Sequence, residues 1–358
     1  MKSRIEVLDF AKGLAIFLVI MGHATDNLAT PLWRLIIYSF HMPLFFLVAG
    51  MVVKPVEVTE RGSLLYFLRK NFLALIVPFI IWGLVYSCFS YENFGNILYG
   101  TYEMLSKSHS LTSLWFLPAL FLARQWVEIL FRGIGKMKSY KNWAIGLAAV
   151  AFFVVGLLLP HPHPSAGTGF IGYPLGFDIS LVATGYILVG YLLLPVVKKL
   201  KDANIAISII GLLISLCILM CGTVLRSDSL GLAAMAFNNY GSIPFMFVNA
   251  FSGSAAIIFL SVILHRCSGW ESRLFNKDIL LFIGQNTIGI YLLHKNFMQE
   301  VVMALFSKYG WTEPQVLVAF VSATITLLVV CVVVKIINRY VPQLMGRFPS
   351  DKLMAVKE

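Results

Sequence analysis

Charge is scarce in this chain: Asp, Glu, Lys and Arg make up 13% of its 358 residues, where soluble domains average about 25%. Hydrophobic residues make up 59%. That leaves too little polar surface for a water-soluble globule and points to spans packed on one another in a bilayer. Cysteine is sparse as well. Cys88, Cys217, Cys221, Cys267 and Cys331 make an odd count without metal-ligand spacing, so no disulfide framework is implied. Cys217 and Cys221 lie four apart in an apolar run and read as small packing residues on one helix face. Three catalytic templates are missing: the G-x-S-x-G elbow, H-E-x-x-H and the phosphate-binding P-loop. No internal repeat or low-complexity linker divides the chain, which reads as one transmembrane domain over residues 1–358.

What is present is apolar length. Ten runs approach the roughly 20 residues a helix needs to cross a bilayer: about 8–25, 33–53, 70–90, 112–131, 142–160, 176–196, 205–225, 242–264, 279–297 and 315–337. The expected fold is all-α, a polytopic integral membrane protein of about ten transmembrane helices. Basic residues outnumber acidic ones 28 to 17, a net charge of +11. With the N-terminus in the cytoplasm, 23 of the 28 fall in inner segments; only Arg34, Lys107, Arg226, Lys295 and Lys308 fall outside. That bias predicts both termini cytoplasmic. It accounts for the charge better than nucleic acid does, and acidic membrane lipids are natural partners for it. Pro43, Pro78, Pro118, Pro174 and Pro195 sit in or beside spans, where prolines kink helices and free carbonyls. The outer segment 159–169 reads as extended and irregular. The outer segment 91–111 holds Tyr91, Tyr99 and Tyr102, which read as interface anchors, with Glu92, Glu103 and His109.

The stretch from Asp9 through Lys12 to His23 is the most informative. Eleven helical steps of about 100° bring His23 back to within about 20° of the face of Lys12, and the rise is roughly 16 Å, half the bilayer core. Three readings compete. As a signal peptide, Lys2 and Arg4 would be the basic region, but Glu6, Asp9 and Lys12 interrupt the apolar run and no Ala-x-Ala site stands near Ala24. As a plain span, its histidine would bond a neighbouring helix. As a functional helix, it would line a polar cavity, which is where titratable groups inside spans usually face.

Four segments in order carry a resemblance. The run from Arg4 to Gly13 followed by His23, the run Phe40–Gly50, Leu114–Ala119 with Trp115, and Asn286–His294 with Tyr291 resemble the first, second, fourth and ninth spans of the membrane-bound acyltransferase-3 family. The resemblance runs from about residue 4 to the last span. It implies transfer of an acyl group, acetyl above all, from cytoplasmic acetyl-coenzyme A to a hydroxyl on an extracytoplasmic sugar. That sugar would be a unit of a surface polysaccharide, lipopolysaccharide or other glycolipid, and the enzyme a multi-pass protein of the cell membrane. His23 is the expected general base on the acceptor hydroxyl, with a transient acyl-histidine as the alternative. Asp26, three residues on, would orient it, or else cap an outer loop. Asp9, Lys12, Arg69 and Lys70 are the expected donor site, since basic side chains bind the phosphates of acyl-coenzyme A. The family's paired arginines, three apart before the third span's proline, are reduced here to the adjacent Arg69–Lys70 before Pro78, and the first-helix base is lysine. His41, Trp115, Asn286, Tyr291 and His294 are the expected acceptor site.

Depth sorts the other histidines. His41 and His294 come to the outer level of His23, His161 and His163 lie in an outer loop, and His265 is cytoplasmic. Each has a plainer reading: a kink partner beside Pro43 for His41, an interface residue for His294, loop residues for the His161-Pro-His163 pair. Zinc through His23, His41 and His294 lacks a completing carboxylate or cysteine, so no metal is expected. No long soluble tail is present, so no fused extracytoplasmic domain is expected to finish the reaction. Two rivals stand beside the enzyme: a transporter or glycolipid flippase, against which no inverted repeat is detectable, and a non-catalytic sensor, against which the Lys12–His23 pair is intact. Oligomeric state is left open.

Overall fold

The computed structural model describes residues 5–24, 31–53, 64–135, 141–160, 171–226, 235–267, 277–313 and 315–348. Asp26, His161, His163 and most of segment 159–169 lie outside them. Among the described residues every regular element is helical and no strand occurs. In order they are α1 (Glu6–His23), α2 (Leu32–Met51), α3 (Leu64–Asn71), α4 (Val77–Tyr86), α5 (Tyr91–Tyr99), α6 (Tyr102–Leu105), α7 (Phe116–Ile134) and α8 (Lys141–Leu158). Then come α9 (Phe177–Asp202), α10 (Ile205–Arg226), α11 (Ile243–Cys267), α12 (Lys277–Gln285), α13 (Thr287–Leu293), α14 (Glu300–Lys308) and α15 (Gln315–Tyr340). The chain is an all-helical, polytopic membrane protein. Among the described residues, eight continuous helical stretches are long and apolar enough to cross a bilayer.

The first and ninth expected spans are absent from those eight, for physical reasons. Glu6, Asp9 and Lys12 put three charges into the 18 residues of α1. The ninth is broken. Asn286 leaves helical geometry at φ −117°, ψ 17° between α12 and α13, and a π-helical turn, His294–Gln299, joins α13 to α14. Broken helices persist in membranes where protein or a cavity satisfies the freed backbone. Here the Asn286 side chain donates to the Phe282 carbonyl at 2.7 Å and accepts from Asn338 at 2.7 Å.

The third span is continuous but starts earlier than expected, at Leu64, and bulges into a π turn at Phe72–Ile76. Pro78 explains the bulge: it has no N–H, and its ring would clash with the carbonyl four residues back in a regular helix. The segment 91–111 is more ordered than its tyrosines suggested, with α5, α6 and a 3₁₀ turn (His109–Trp115).

Helix α1 sits at the centre. Twelve of its 18 residues are buried, and α2, α11, α12 and α15 pack around it. Two close crossings hold the frame. Gly284 of α12 lies against the backbone carbonyl of Asp9, and Gly50 of α2 and Gly190 of α9 lie against each other's helix backbones at Ile187 and Leu47. A Cβ at any of the three would strike backbone, so small residues set these approaches. Helices α8 and α10 form the rim, presenting Trp143, Leu147, Leu213 and Ile214 outward. Cys217 and Cys221 are exposed there too, so they are not packing residues of the interior.

Candidate functional site

The Asp9 end of α1 opens on a cavity of about 290 Å³. Asp9, buried, holds the Lys12 ammonium at 2.7 Å. Lys12 lines the cavity together with Phe45, Phe116, Asn286, Asn338 and Arg347. The arginine arrives from the far end of the chain. The 3₁₀ turn Pro342–Met345 is pinned by Trp82, whose indole N–H donates to the Leu344 carbonyl at 2.9 Å. Gly346, at φ +70°, then turns the backbone tightly over Ala74. Arg347 donates to Asn286 Oδ1 at 2.7 Å and to the Gln285 carbonyl at 3.2 Å, closing over the break between α12 and α13. Two cations therefore share one cavity wall.

The sequence placed Arg69 and Lys70 at this site. The structure leaves both exposed on α3, with Lys70 lying 5.9 Å over the Tyr66 ring, and neither lines the cavity. Asn286 was expected with the acceptor residues. It stands instead in the cavity wall beside Arg347, because the helix breaks at that residue.

The His23 end holds the imidazoles. The His23 and His294 rings are 5.5 Å apart. Tyr38 links His23 to His41: its hydroxyl lies 3.5 Å from His23 Nδ1, and its ring stands edge-on to His41 at 5.0 Å. His41 and His294 each donate Nδ1–H to a carbonyl of their own helix, Ile37 at 2.8 Å and Tyr291 at 2.7 Å. A carbonyl only accepts, so both rings carry a proton on Nδ1, and in the neutral ring Nε2 keeps its lone pair. His294 Nε2 is buried with no partner among the described residues. Arg34 lies 5.2 Å over the Tyr38 ring and donates to the Gly22 carbonyl at 3.1 Å.

The ninth span's broken second half is tied to its surroundings at this level. Tyr291 donates to the Ser113 carbonyl, Asn296 to that of Ser110, and the buried Lys295 ammonium to Thr112 at 2.7 Å. Gln299 donates to the Ile20 carbonyl of α1 at 2.7 Å. Trp115 is buried against Phe116, whose ring meets Tyr291 at 5.3 Å. Of the expected acceptor residues, His294 meets His23 directly, His41 through Tyr38, and Tyr291 through His294 at 5.6 Å, while Trp115 touches this group only by way of Phe116.

A small void of about 20 Å³ lies between the two ends, lined by Ile16, Met42 and Tyr291 and by Phe45, Phe116, Thr287 and Ile288, which also line the large cavity. These shared apolar side chains separate the void from the large cavity. Sequence reading missed Arg347, Tyr38 and Lys295 as site residues. Arg347 and Lys295 stood out only as entries in the charge balance, and nothing in the local sequence marks Tyr38.

Residues 5–336 match the family model described as an acyltransferase domain. Among curated proteins the chain is similar to a nodulation protein NolL of Mesorhizobium japonicum, 29% identical over 191 residues, 49% of each chain. It is also similar to a nodulation protein NolL of Sinorhizobium fredii, 26% identical over 184 residues, 47% of this chain and 49% of that one. The chain spans about half the length of the curated relatives it matches.

Proposed function

Because this chain belongs to the acyltransferase-3 family of membrane proteins, we propose that it transfers an acyl group, acetyl above all, from cytoplasmic acyl-coenzyme A to a hydroxyl of an extracytoplasmic sugar or glycolipid. The observation that carries the reading is the two-ended layout of α1. One end puts Lys12 in the wall of a cavity that also holds Arg347; the other puts His23 beside His41 and His294. The separation of roughly 16 Å is of the order of the extended pantetheine arm. The positive-inside bias supports an arrangement of ten crossings, counting α1 and the broken α12–α14 segment, with the cations at the cytoplasmic face of the cell membrane and the histidines in its outer half.

The donor phosphates meet Lys12 and Arg347, and the pantetheine arm carries the thioester toward the histidines past the apolar side chains that line both spaces. In the tautomer that donates Nδ1–H to the Tyr38 oxygen, His23 keeps a lone pair on Nε2. That nitrogen takes the acceptor hydroxyl's proton as the oxygen attacks the thioester carbonyl carbon. The tetrahedral adduct collapses, the C–S bond breaks, and the coenzyme A thiolate leaves with the proton from His23. His41 and His294 offer Nε2 acceptors to other hydroxyls of the sugar.

The test is purified protein in lipid with radiolabelled acetyl-coenzyme A and fractionated cell-envelope glycans. Label transferred to a glycan fraction is the expected result. Movement of a glycolipid across the bilayer with no label transfer would establish a flippase instead.

A further inference from the structure

A second small cavity, of about 20 Å³, has Tyr38 in its lining, and nothing in the scheme above uses it. Tyr38, Ser39 and Pro43 of α2, Tyr186 of α9 and Tyr240 before α11 are among its walls. Two of these side chains are anomalous. The hydroxyls of Tyr186 and Tyr240 are both buried, and neither has a hydrogen-bond partner among the described residues. The residues themselves are 0% and 8% exposed. A buried hydroxyl without a partner is costly, so native structures rarely hold two in one place unless something satisfies them.

The walls are built rather than accidental. Tyr186 is wedged edge-on against Phe153 at 4.9 Å and against Phe251 at 5.9 Å. Tyr240 follows a short turn anchored by Asn238, which takes a left-handed conformation at φ +52° and donates to the buried Asp178 at 2.9 Å. Both tyrosines thereby line one small space, and Tyr38 touches both that space and the proposed base.

We propose that this cavity is an acceptor subsite, in which Tyr186 and Tyr240 grip one hydroxyl or hydroxymethyl substituent of the acceptor sugar while a neighbouring hydroxyl is presented to His23. The inference rests on the transferase reading. The volume sets the size: it takes one water-sized group, never a whole sugar ring. The chemistry sets the class: a phenol both donates and accepts, and a hydroxyl bound between two phenols does the same, which an apolar substituent cannot.

Tyr186→Phe and Tyr240→Phe test it, because the two possible roles move different quantities. Each variant removes a hydroxyl that no described protein group uses, so its thermal stability should equal or exceed that of the parent. With the glycan fraction that accepts label, the acceptor KM should nevertheless rise by about tenfold per lost hydroxyl, with donor KM unchanged. Acceptor KM within twofold of the parent in both variants and in the double variant would mean that the cavity holds a water only, and would overturn the proposal. A fall in stability alongside a rise in both KM values would make the hydroxyls structural and overturn it equally. Absence of transfer by the unmodified protein to any fraction would remove the transferase reading first, and this subsite with it.

Discussion

Helices α1 and α10 are both single crossings by length, yet they are opposites. The apolar part of α10 has a mean hydropathy of 2.7, and only 22% of it is buried. Its long side chains meet lipid, and it packs chiefly on α11. Helix α1 is apolar on average but carries three charges and a histidine, and neighbouring helices pack around it. The same contrast separates the broken α12–α14 segment from the unbroken α15. Hydropathy alone does not separate the two, since α2 carries Tyr38 and His41 and is still a strongly apolar crossing candidate. What sets α1 apart is charge, which is tolerated inside a membrane only where neighbours and cavities receive it.

The contrast is sharpest at His23, where the largest effect is expected. His23→Ala and His23→Gln should both lower transfer by the roughly 10²–10⁴-fold typical of positioned acid–base groups, with stability and donor binding close to the parent's. Glutamine can satisfy a packing partner but cannot cycle a proton at neutral pH. On α10, Leu213→Ala should leave transfer unchanged, since that side chain is 62% exposed. Robust transfer by the glutamine variant would make His23 a packing residue and dissolve the contrast.

A tenfold effect is expected at the other end of α1. Lys12→Ala and Arg347→Ala should each raise the donor KM by about tenfold, the scale of one charge-assisted contact, with acceptor KM unaltered. Raising the salt should weaken donor binding by the parent and narrow its advantage over the variants. Arg69→Ala should stay near the parent, because Arg69 is exposed on α3 and outside the cavity lining. A donor KM that responds to Arg69 and ignores Arg347 would move the donor site to α3.

These residues also show what the sequence could and could not reveal. Eight of the ten apolar runs appear as continuous crossings, because apolar length is a local property. The Lys12–His23 spacing was legible because helix geometry fixes it whatever the surroundings. The break at Asn286 was not: no proline or glycine pair marks it, and its cause lies in Asn338 and Arg347, side chains about 50 to 60 residues away in the chain. Arg347 itself looked like one more cytoplasmic charge. Only the turn pinned by Trp82 carries it back over the cavity. Asp26 lies outside the described residues, so its expected part beside His23 stays an expectation.

The smallest effect tests whether α1's charge matters everywhere or only where a cavity receives it. Glu6, its first residue, accepts from Lys277 at 2.7 Å and from His265 at 3.1 Å, joining α1 to the start of α12 and the end of α11. The hydrogen bond from Lys277 holds the Glu6 carboxyl below its ordinary range. A carboxyl depressed in the folded state contributes stability above its unfolded pKa of about 4.3, and that contribution is lost as pH falls through the lower folded value. Because the Glu6 side chain is 36% exposed, solvent screens the pair and its worth should stay below about 1 kcal/mol. Glu6→Gln should therefore melt slightly below the parent at pH 7, converge with it toward pH 3, and lose the difference in high salt. Its donor KM should not move, since Glu6 is absent from the cavity lining. A several-fold rise in donor KM would show that this latch shapes the cavity through α12. The boundary between the two kinds of helix would then run through the cytoplasmic ends of the bundle, and Glu6 would join Lys12 on the functional side.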